Sequence, residues 1–263
     1  MCSSDLALTL VLSISGALSV KERVEFRENN EEKYSLKEML QFLRYKPIWA
    51  AFAATLIVGT GSSIAGGAGA YFYTYVLGDM KLMSGVSVIG LIASLVGIVM
   101  GPYLANRFGK KKVYLTAVII STALNLLRLL DVTSMILIYI SALIGGVAGG
   151  WMVPVNTSIQ ADNTTYVQYK TGKRAEAAIA SLTSFVSKVA QGLGGAIPGY
   201  VIAAYGFVTG ASVQPESINT GIILCALILP LIFGILGLLI FGTQYTLDQK
   251  AVIEMDAKIN RNN

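Results

Sequence analysis

Residues 177–205 read AAIASLTSFVSKVAQGLGGAIPGYVIAAY. Lys188 is the only charged side chain between Ala177 and Pro215, about twelve residues into the apolar run, or roughly 18 Å along a helix. That position lies near the middle of a bilayer, where a charge costs at least about 2.5–3.5 kcal/mol on insertion scales. Such a residue indicates a partner, a water-filled cavity or a ligand. The stretch therefore predicts a membrane-spanning helix that lines a transport pathway.

The composition is that of a membrane protein. Of the 263 residues, 54% are hydrophobic and 13% are charged, against a usual charged share of about 25%, and the mean hydropathy is +0.63. The net charge of +5 does not indicate nucleic-acid binding, because the basic residues stand between apolar runs and not along one exposed face. The chain has no histidine, and its two cysteines, Cys2 and Cys225, suggest neither a metal site nor a disulfide. We therefore expect no enzyme activity, no metal and no cofactor.

Six apolar runs are long enough to cross a hydrocarbon core about 30 Å thick. A shorter run within residues 1–20 is interpreted as the end of a span whose beginning is missing, and the first residues look like a sequencing artefact. Residues 21–46 are a cytoplasmic linker, residues 47–245 a bundle of six transmembrane helices, and residues 246–263 a cytoplasmic tail. The predicted fold is an all-α integral membrane bundle. Its spans are approximately Ile48–Leu77, Met83–Leu104, Val113–Leu130, Ser134–Ile159, Ala177–Tyr205 and Ile218–Tyr245.

The basic residues predict the orientation of the bundle. When the linker is placed in the cytoplasm, all but three of the 20 basic residues fall on the cytoplasmic side. Of the three, Lys81 and Arg128 lie at the outer side and Lys188 lies within the membrane. Because cytoplasmic loops are enriched in lysine and arginine, this bias places both ends of the six-helix unit in the cytoplasm.

The linker contains a helix-start signal. Ser35 is followed three residues later by Glu38, which is the spacing of a capping box, and apolar residues then recur at helical spacing. We expect a short amphipathic helix at the cytoplasmic surface. A solvated connecting helix is favoured over a regulatory one.

A polar stripe surrounds Lys188 in the fifth span. Its members follow steps of three and four residues, so they share one face of the helix. With a lysine at its centre, this stripe favours an aqueous cavity over the alternative, in which serines bond to their own backbone and glycines pack helices. The stripe consists of Ser181, Ser184, Ser187, Lys188 and Gln191.

Other polar features lie at the outer end of the bundle. The run Tyr71–Tyr75 fits either an outer gate or an aromatic belt at the membrane surface. The many glycines that precede it fit either a bent helix or close helix packing. On the third span, Arg128 stands three residues from Asp131, and this spacing predicts a structural ion pair.

Three motifs resemble those of known transporters. GPYLANRFGKKK at residues 101–112 resembles the inner-loop signature of the major facilitator superfamily, with Asn106 where an acidic residue is commonest. DNTTYVQYKTGKRAE at residues 162–176, followed by Lys188, resembles the glycoside–pentoside–hexuronide:cation symporter family of that superfamily. YTYVLGD at residues 73–79 resembles the seventh helix of the same family.

The resemblance implies a fold and a set of site residues. It implies that the chain is the carboxy-terminal half of a twelve-helix transporter that couples sugar or glycoside entry to Na⁺ or H⁺. The substrate cavity would be lined by Thr183, Ser184, Ser187, Lys188, Gln191 and Tyr73. The cytoplasmic gate would use Asp162, Arg174, Glu176 and Arg107. Because Asn106 replaces the usual acid, we expect the basic cluster at residues 110–112 to act only as a topology anchor.

The resemblance also implies partners. These are the lipid bilayer of the cytoplasmic membrane, a sugar, a coupling cation and an amino-terminal six-helix half that carries the cation-binding carboxylates. Lys188 would then pair with a carboxylate of that half, or else donate to sugar hydroxyls. Two alternatives remain: a transporter of the same fold with a non-sugar substrate, and a six-span protein that associates with itself.

Overall fold

Helices account for all the regular structure in the described part of the chain, which in this computed structural model comprises residues 35–173, 175–211 and 213–262. A bilayer core offers no water, so a spanning segment must satisfy its backbone groups internally, and a helix does so. The predicted partial span at 1–20 and most of the linker at 21–46 lie outside the described residues. The helices are α1 (Leu36–Gln41), α2 (Lys46–Tyr71), α3 (Lys81–Phe108), α4 (Lys110–Leu130), α5 (Met135–Thr171), α6 (Glu176–Ala204), α7 (Ser217–Ile223), α8 (Leu229–Gln244) and α9 (Gln249–Asn262).

Two π-helical turns complete the spans. One, Phe72–Val76, extends α2, and the other, Leu224–Ile228, joins α7 to α8. The second turn comes just before Pro230, which has no backbone N–H to donate, so a local change of helical hydrogen bonding there accommodates the proline. Helices α7 and α8 therefore form one span.

Five of the six predicted spans are long and apolar enough to cross a membrane, which confirms an all-α membrane bundle. The sixth, α6, has 29 residues and is not among these five; it carries the polar stripe around Lys188. The fourth span was predicted to end at Ile159, yet α5 continues to Thr171. Gly172, with φ of 72°, ends the helix in a left-handed conformation, and its N–H donates to Gln168 O at 2.8 Å.

The capping box of α1 is confirmed. The backbone N–H and the hydroxyl of Ser35 donate to Glu38 Oε2 at 2.8 and 2.9 Å, and the Glu38 N–H donates to Ser35 Oγ at 3.3 Å. These hydrogen bonds hold the pKa of Glu38 below its usual value. The sequence therefore specified this start by itself, because both partners are local.

The tail was not predicted to be helical, but it contains α9. Helix α9 packs against the carboxy-terminal end of α5, with Val252 and Met255 against the core. Leu247, in the connection before it, is buried. A short amphipathic segment of this kind gains its stability from packing and not from its own propensity.

The order in which the helices pack is symmetric. Helix α3 packs on α5, and in the same way α6 packs on α2. Helix α4 also packs on α5, and α8 also packs on α2. Helices α4 and α8 contact each other. Exchanging the first three spans for the last three therefore leaves the pairing unchanged. This is the arrangement of an inverted internal repeat, which is common in secondary transporters.

Small residues allow α3 and α5 to approach closely. A Cβ atom on Gly97 would overlap the backbone of Val147, and one on Gly150 would overlap the backbone of Ser94. Association of helices in lipid depends on such packing because lipid tails are as apolar as leucine. One side of α3 exposes the apolar residues Val88, Leu91, Ile92, Leu95 and Val99.

We predict that Gly150→Ala destabilises the bundle, because the added methyl group has no space against α3. The cost should be about 1–3 kcal/mol, the usual range for overpacking. Gly149→Ala is the matched control, since nothing lies within 4 Å of a Cβ at that position. Unfolding free energies measured by denaturing detergent titration test this, and equal stability of the two variants would contradict the close contact.

Candidate functional site

A partly open cavity of about 560 Å³ lies among the helices, and its mainly apolar lining includes several polar groups. Helices α2 and α5 make few contacts with each other, and α4 and α8 close the space behind them. Its lining also includes three glycines, Gly59 of α2, Gly149 of α5 and Gly234 of α8. The polar groups that line it are Thr55, Ser62, Tyr114, Ser121, Thr122, Asn125 and Asn156.

A second cavity of about 240 Å³ lies between the carboxy-terminal end of α2 and helices α3, α4 and α5. Ser121 and Asn125 line both cavities, so the two share a polar wall on α4. Tyr73, which was predicted to line the cavity, lies in the wall of this smaller one, together with Arg128 and Ser141.

Arg128 does not form the predicted ion pair with Asp131. The Asp131 carboxylate instead accepts hydrogen bonds from the N–H and the hydroxyl of Thr133, at 3.2 and 3.1 Å. The Arg128 guanidinium lies over the ring of Phe72, 5.0 Å from its centroid, and its Nε atom is buried with no hydrogen-bond partner. The spacing of three residues was misleading because the two side chains leave α4 in different directions, one at its end and one into the bundle.

The predicted stripe on α6 lies apart from both cavities. Lys188, Ser184 and Gln191 are exposed on the open side of α6, and Ser187 is partly buried beside them. Lys188 Nζ donates to Gln191 Oε1 at 3.4 Å, within the same helix. The hydroxyl of Thr183 donates to the Ile179 carbonyl at 2.8 Å. This is a bond to the backbone of its own helix, as in the alternative to an aqueous cavity.

The predicted gate residues have different partners from those expected. Asp162 lies in helix α5 and not in a loop, and it is paired with Lys110 Nζ at 2.6 Å. Arg174 lies outside the described residues, and Glu176 is exposed at the start of α6. Arg107 donates to the Tyr103 hydroxyl at 2.9 Å, one turn back in its own helix.

The basic cluster after α3 does more than anchor the topology, so that expectation is wrong. Lys110 pairs with Asp162, which is almost fully buried, and Lys111 Nζ donates to the Tyr245 carbonyl at 2.7 Å. The partners of the first contact are 52 positions apart in the sequence, and those of the second are 134 positions apart. No local spacing in the sequence therefore signals these contacts. The start of α4 is thereby tied both to α5 and to the end of α8.

An aromatic stack supports the contact between the start of α4 and the end of α8. The Phe241 ring lies 4.1 Å from that of Tyr114 and 4.5 Å from that of Tyr245. Among the described residues, no group of three histidine, cysteine or acidic side chains is arranged to hold a metal ion.

Comparison with known proteins gives consistent matches. A family model described as "MFS/sugar transport protein" matches residues 2–249. The chain is 30% identical over 242 residues to the "Uncharacterized symporter YjmB" of Bacillus subtilis, covering 90% of this chain and 52% of the relative. It is 28% identical over 263 residues to the "Glucuronide carrier protein homolog" of Escherichia coli, covering 94% and 56%. It is 25% identical over 253 residues to the "Putative sulfoquinovose importer" of Salmonella typhimurium, covering 93% and 53%. The chain thus spans about half the length of the curated relatives it matches.

We predict that Lys110 and Asp162 stabilise the bundle jointly. Asp162→Asn or Lys110→Met alone should each cost about 1.5–3 kcal/mol of unfolding free energy, because each leaves a charged partner unsatisfied. The double variant should lose less than the sum, with a coupling energy of about 0.5–3 kcal/mol. Detergent titration of the four proteins measures this.

Lys112→Met is the control, since Lys112 is exposed on the same turn of α4. It should leave stability nearly unchanged. Strictly additive losses for Lys110 and Asp162 would show that the ion pair does not contribute.

Proposed function

Because the chain belongs to the MFS/sugar transport protein family, we propose that it forms the carboxy-terminal six-helix half of a secondary transporter for a sugar or glycoside. Membership of a transport family confirms the similarity seen in the motifs, and it means that the chain is not an enzyme. The transporter would lie in the cytoplasmic membrane with its carboxyl terminus inside, as the distribution of basic residues indicates.

The observation that carries the proposal is the cavity of about 560 Å³ within an apolar membrane bundle. Its volume is in the usual range of about 300–1,000 Å³ for small-molecule sites. Its walls combine apolar side chains with hydroxyl and amide groups, which can donate to and accept from sugar hydroxyls. The curated relatives named for a glucuronide and for sulfoquinovose support a sugar as the substrate.

Coupling and alternating access are part of the same proposal. The inverted pairing of helices within this chain is the repeat that is nested in each half of such a transporter, and the two halves would rock against each other around a central site. The Lys110–Asp162 pair ties α4 to α5 within this half and would hold the cytoplasmic ends of these helices together during that movement. The predicted cytoplasmic gate has two acidic side chains, Asp162 and Glu176, and the structure describes an ion-pair partner for Asp162.

Lys188 would face the amino-terminal half. It is exposed on α6, and within the described residues its hydrogen-bond partner is the neutral Gln191. A lysine at that depth calls for a counter-charge. We propose that a carboxylate of the amino-terminal half pairs with Lys188 and that Na⁺ or H⁺ releases it, which would couple cation binding to sugar transport.

We predict that Asn156→Leu lowers sugar uptake by about tenfold or more, because the change removes an amide that lines the cavity at nearly constant side-chain size. Uptake of radiolabelled glycosides is measured in cells that express the reading frame containing this chain, with all adjoining coding sequence. Thr157→Val is the matched control: Thr157 is the next residue, and its hydroxyl bonds to the Val153 carbonyl. Equal uptake by both variants would remove the cavity from the transport route.

A second prediction concerns coupling. Lys188→Arg should lower cation-driven uptake by about tenfold or more, because a guanidinium cannot replace a compact ammonium in a close pair. Lys188→Ala should also lower the amount of protein in the membrane. Lys81→Arg, the same change at the exposed outer end of α3, serves as the control. Full cation-driven uptake by Lys188→Ala would overturn the coupling role.

A further inference from the structure

Arg128 is a cation in a cavity wall that has no acidic member. The residues that line the smaller cavity are apolar or neutral apart from Arg128, and those of the larger cavity include no aspartate or glutamate. The acidic residue nearest in sequence, Asp131, is held by Thr133. Within the described part of the chain, Arg128 thus has no carboxylate partner.

The contact with Phe72 leaves the hydrogen-bonding capacity of Arg128 unused. A ring face attracts the positive charge but offers no lone pair to the five N–H groups of a guanidinium. The Nε atom is buried and lacks a partner among the described residues. Burying a donor without a partner is costly, so an acceptor that enters the cavity gains both charge and hydrogen bonds.

The neighbours of Arg128 suit a ligand that carries hydroxyl groups beside an acid. Asn125 stands one helical turn before Arg128 on α4, or about 4.5 Å along the axis. Tyr73 and Ser141 face the same cavity, and Asn125 with Ser121 continues the polar wall into the larger cavity. A ligand with an anionic end and a hydroxyl-rich body therefore matches these two neighbouring cavities, which share Ser121 and Asn125.

We propose that Arg128 is the binding site for the carboxylate or sulfonate of an acidic sugar, whose hydroxyl groups lie against Ser121 and Asn125. The planar fork of the guanidinium matches two oxygens of such a group. The inference rests on the proposed function, and it narrows the substrate to an anionic sugar. A lipid phosphate at the outer surface has the same chemistry and is separated by the experiment.

The test measures binding to the protein expressed from the reading frame that contains this chain, with all adjoining coding sequence, in nanodiscs of neutral lipid. D-glucuronate and D-glucose differ only in the acid group. Calorimetry should show a Kd for glucuronate about tenfold or more below that for glucose, and Arg128→Gln should remove this preference. Arg44→Gln removes the same charge at an exposed position of the linker and should keep the preference.

Two further variants keep the test informative if Arg128→Gln fails to fold. Arg128→Lys retains the charge without the fork and should reduce the preference only in part. Asn125→Asp places a carboxylate one turn from Arg128 and should abolish glucuronate binding while leaving the protein folded. Equal Kd values for the two sugars in the unaltered chain, or a preserved preference in Asn125→Asp, would overturn the proposal.

The source of the anion is decided by changing the lipid. If the glucuronate preference persists in nanodiscs rich in phosphatidylglycerol, the sugar assignment is supported. If it disappears there, Arg128 binds a lipid phosphate and the sugar assignment is wrong. Uptake separates the two proposals: transport of neutral glycosides that is unaffected by Arg128→Gln rejects the anion site and leaves the sugar transporter standing.

Discussion

A polar group inside a bilayer needs a partner within the protein, and this one constraint orders the whole chain. It makes the backbone helical, and it leaves helix association to close packing, for which Gly97 and Gly150 give α3 and α5 the space. It also explains why charged side chains are few in the spans. Those that occur there are paired, as Asp162 is with Lys110, or are directed to a face or cavity where a partner can reach them.

The features that could be predicted from the sequence are those whose causes are local. Apolar length gave the six spans, and the spacing of Ser35 and Glu38 gave the start of α1. The contacts of the gate could not be predicted, because Lys110 and Asp162 are 52 residues apart and meet only through the packing of α4 on α5. The predicted Arg128–Asp131 ion pair was wrong for the opposite reason. A local spacing suggested a contact, but each side chain has a different neighbour in the folded bundle.

The candidate site shows the same division. Helical periodicity placed the residues around Lys188 on one face, yet it could not show that the larger cavity lies elsewhere, between α2, α4, α5 and α8. The shared wall of Ser121 and Asn125 was not predicted, because single serines and asparagines in a span are more often bonded to their own backbone. Their meaning emerges only when two cavities are seen to share them.

The described spans hold two cations without carboxylate partners, and their chemistry differs. Lys188 is a compact charge on an exposed helix face, suited to a partner that comes and goes with a moving neighbour. Arg128 is a rigid fork in a cavity wall, suited to a planar acid held in one orientation. A transporter that binds an anion and a cation together needs both kinds of site. The separation of the two residues on α6 and α4 allows one to serve coupling while the other serves substrate recognition.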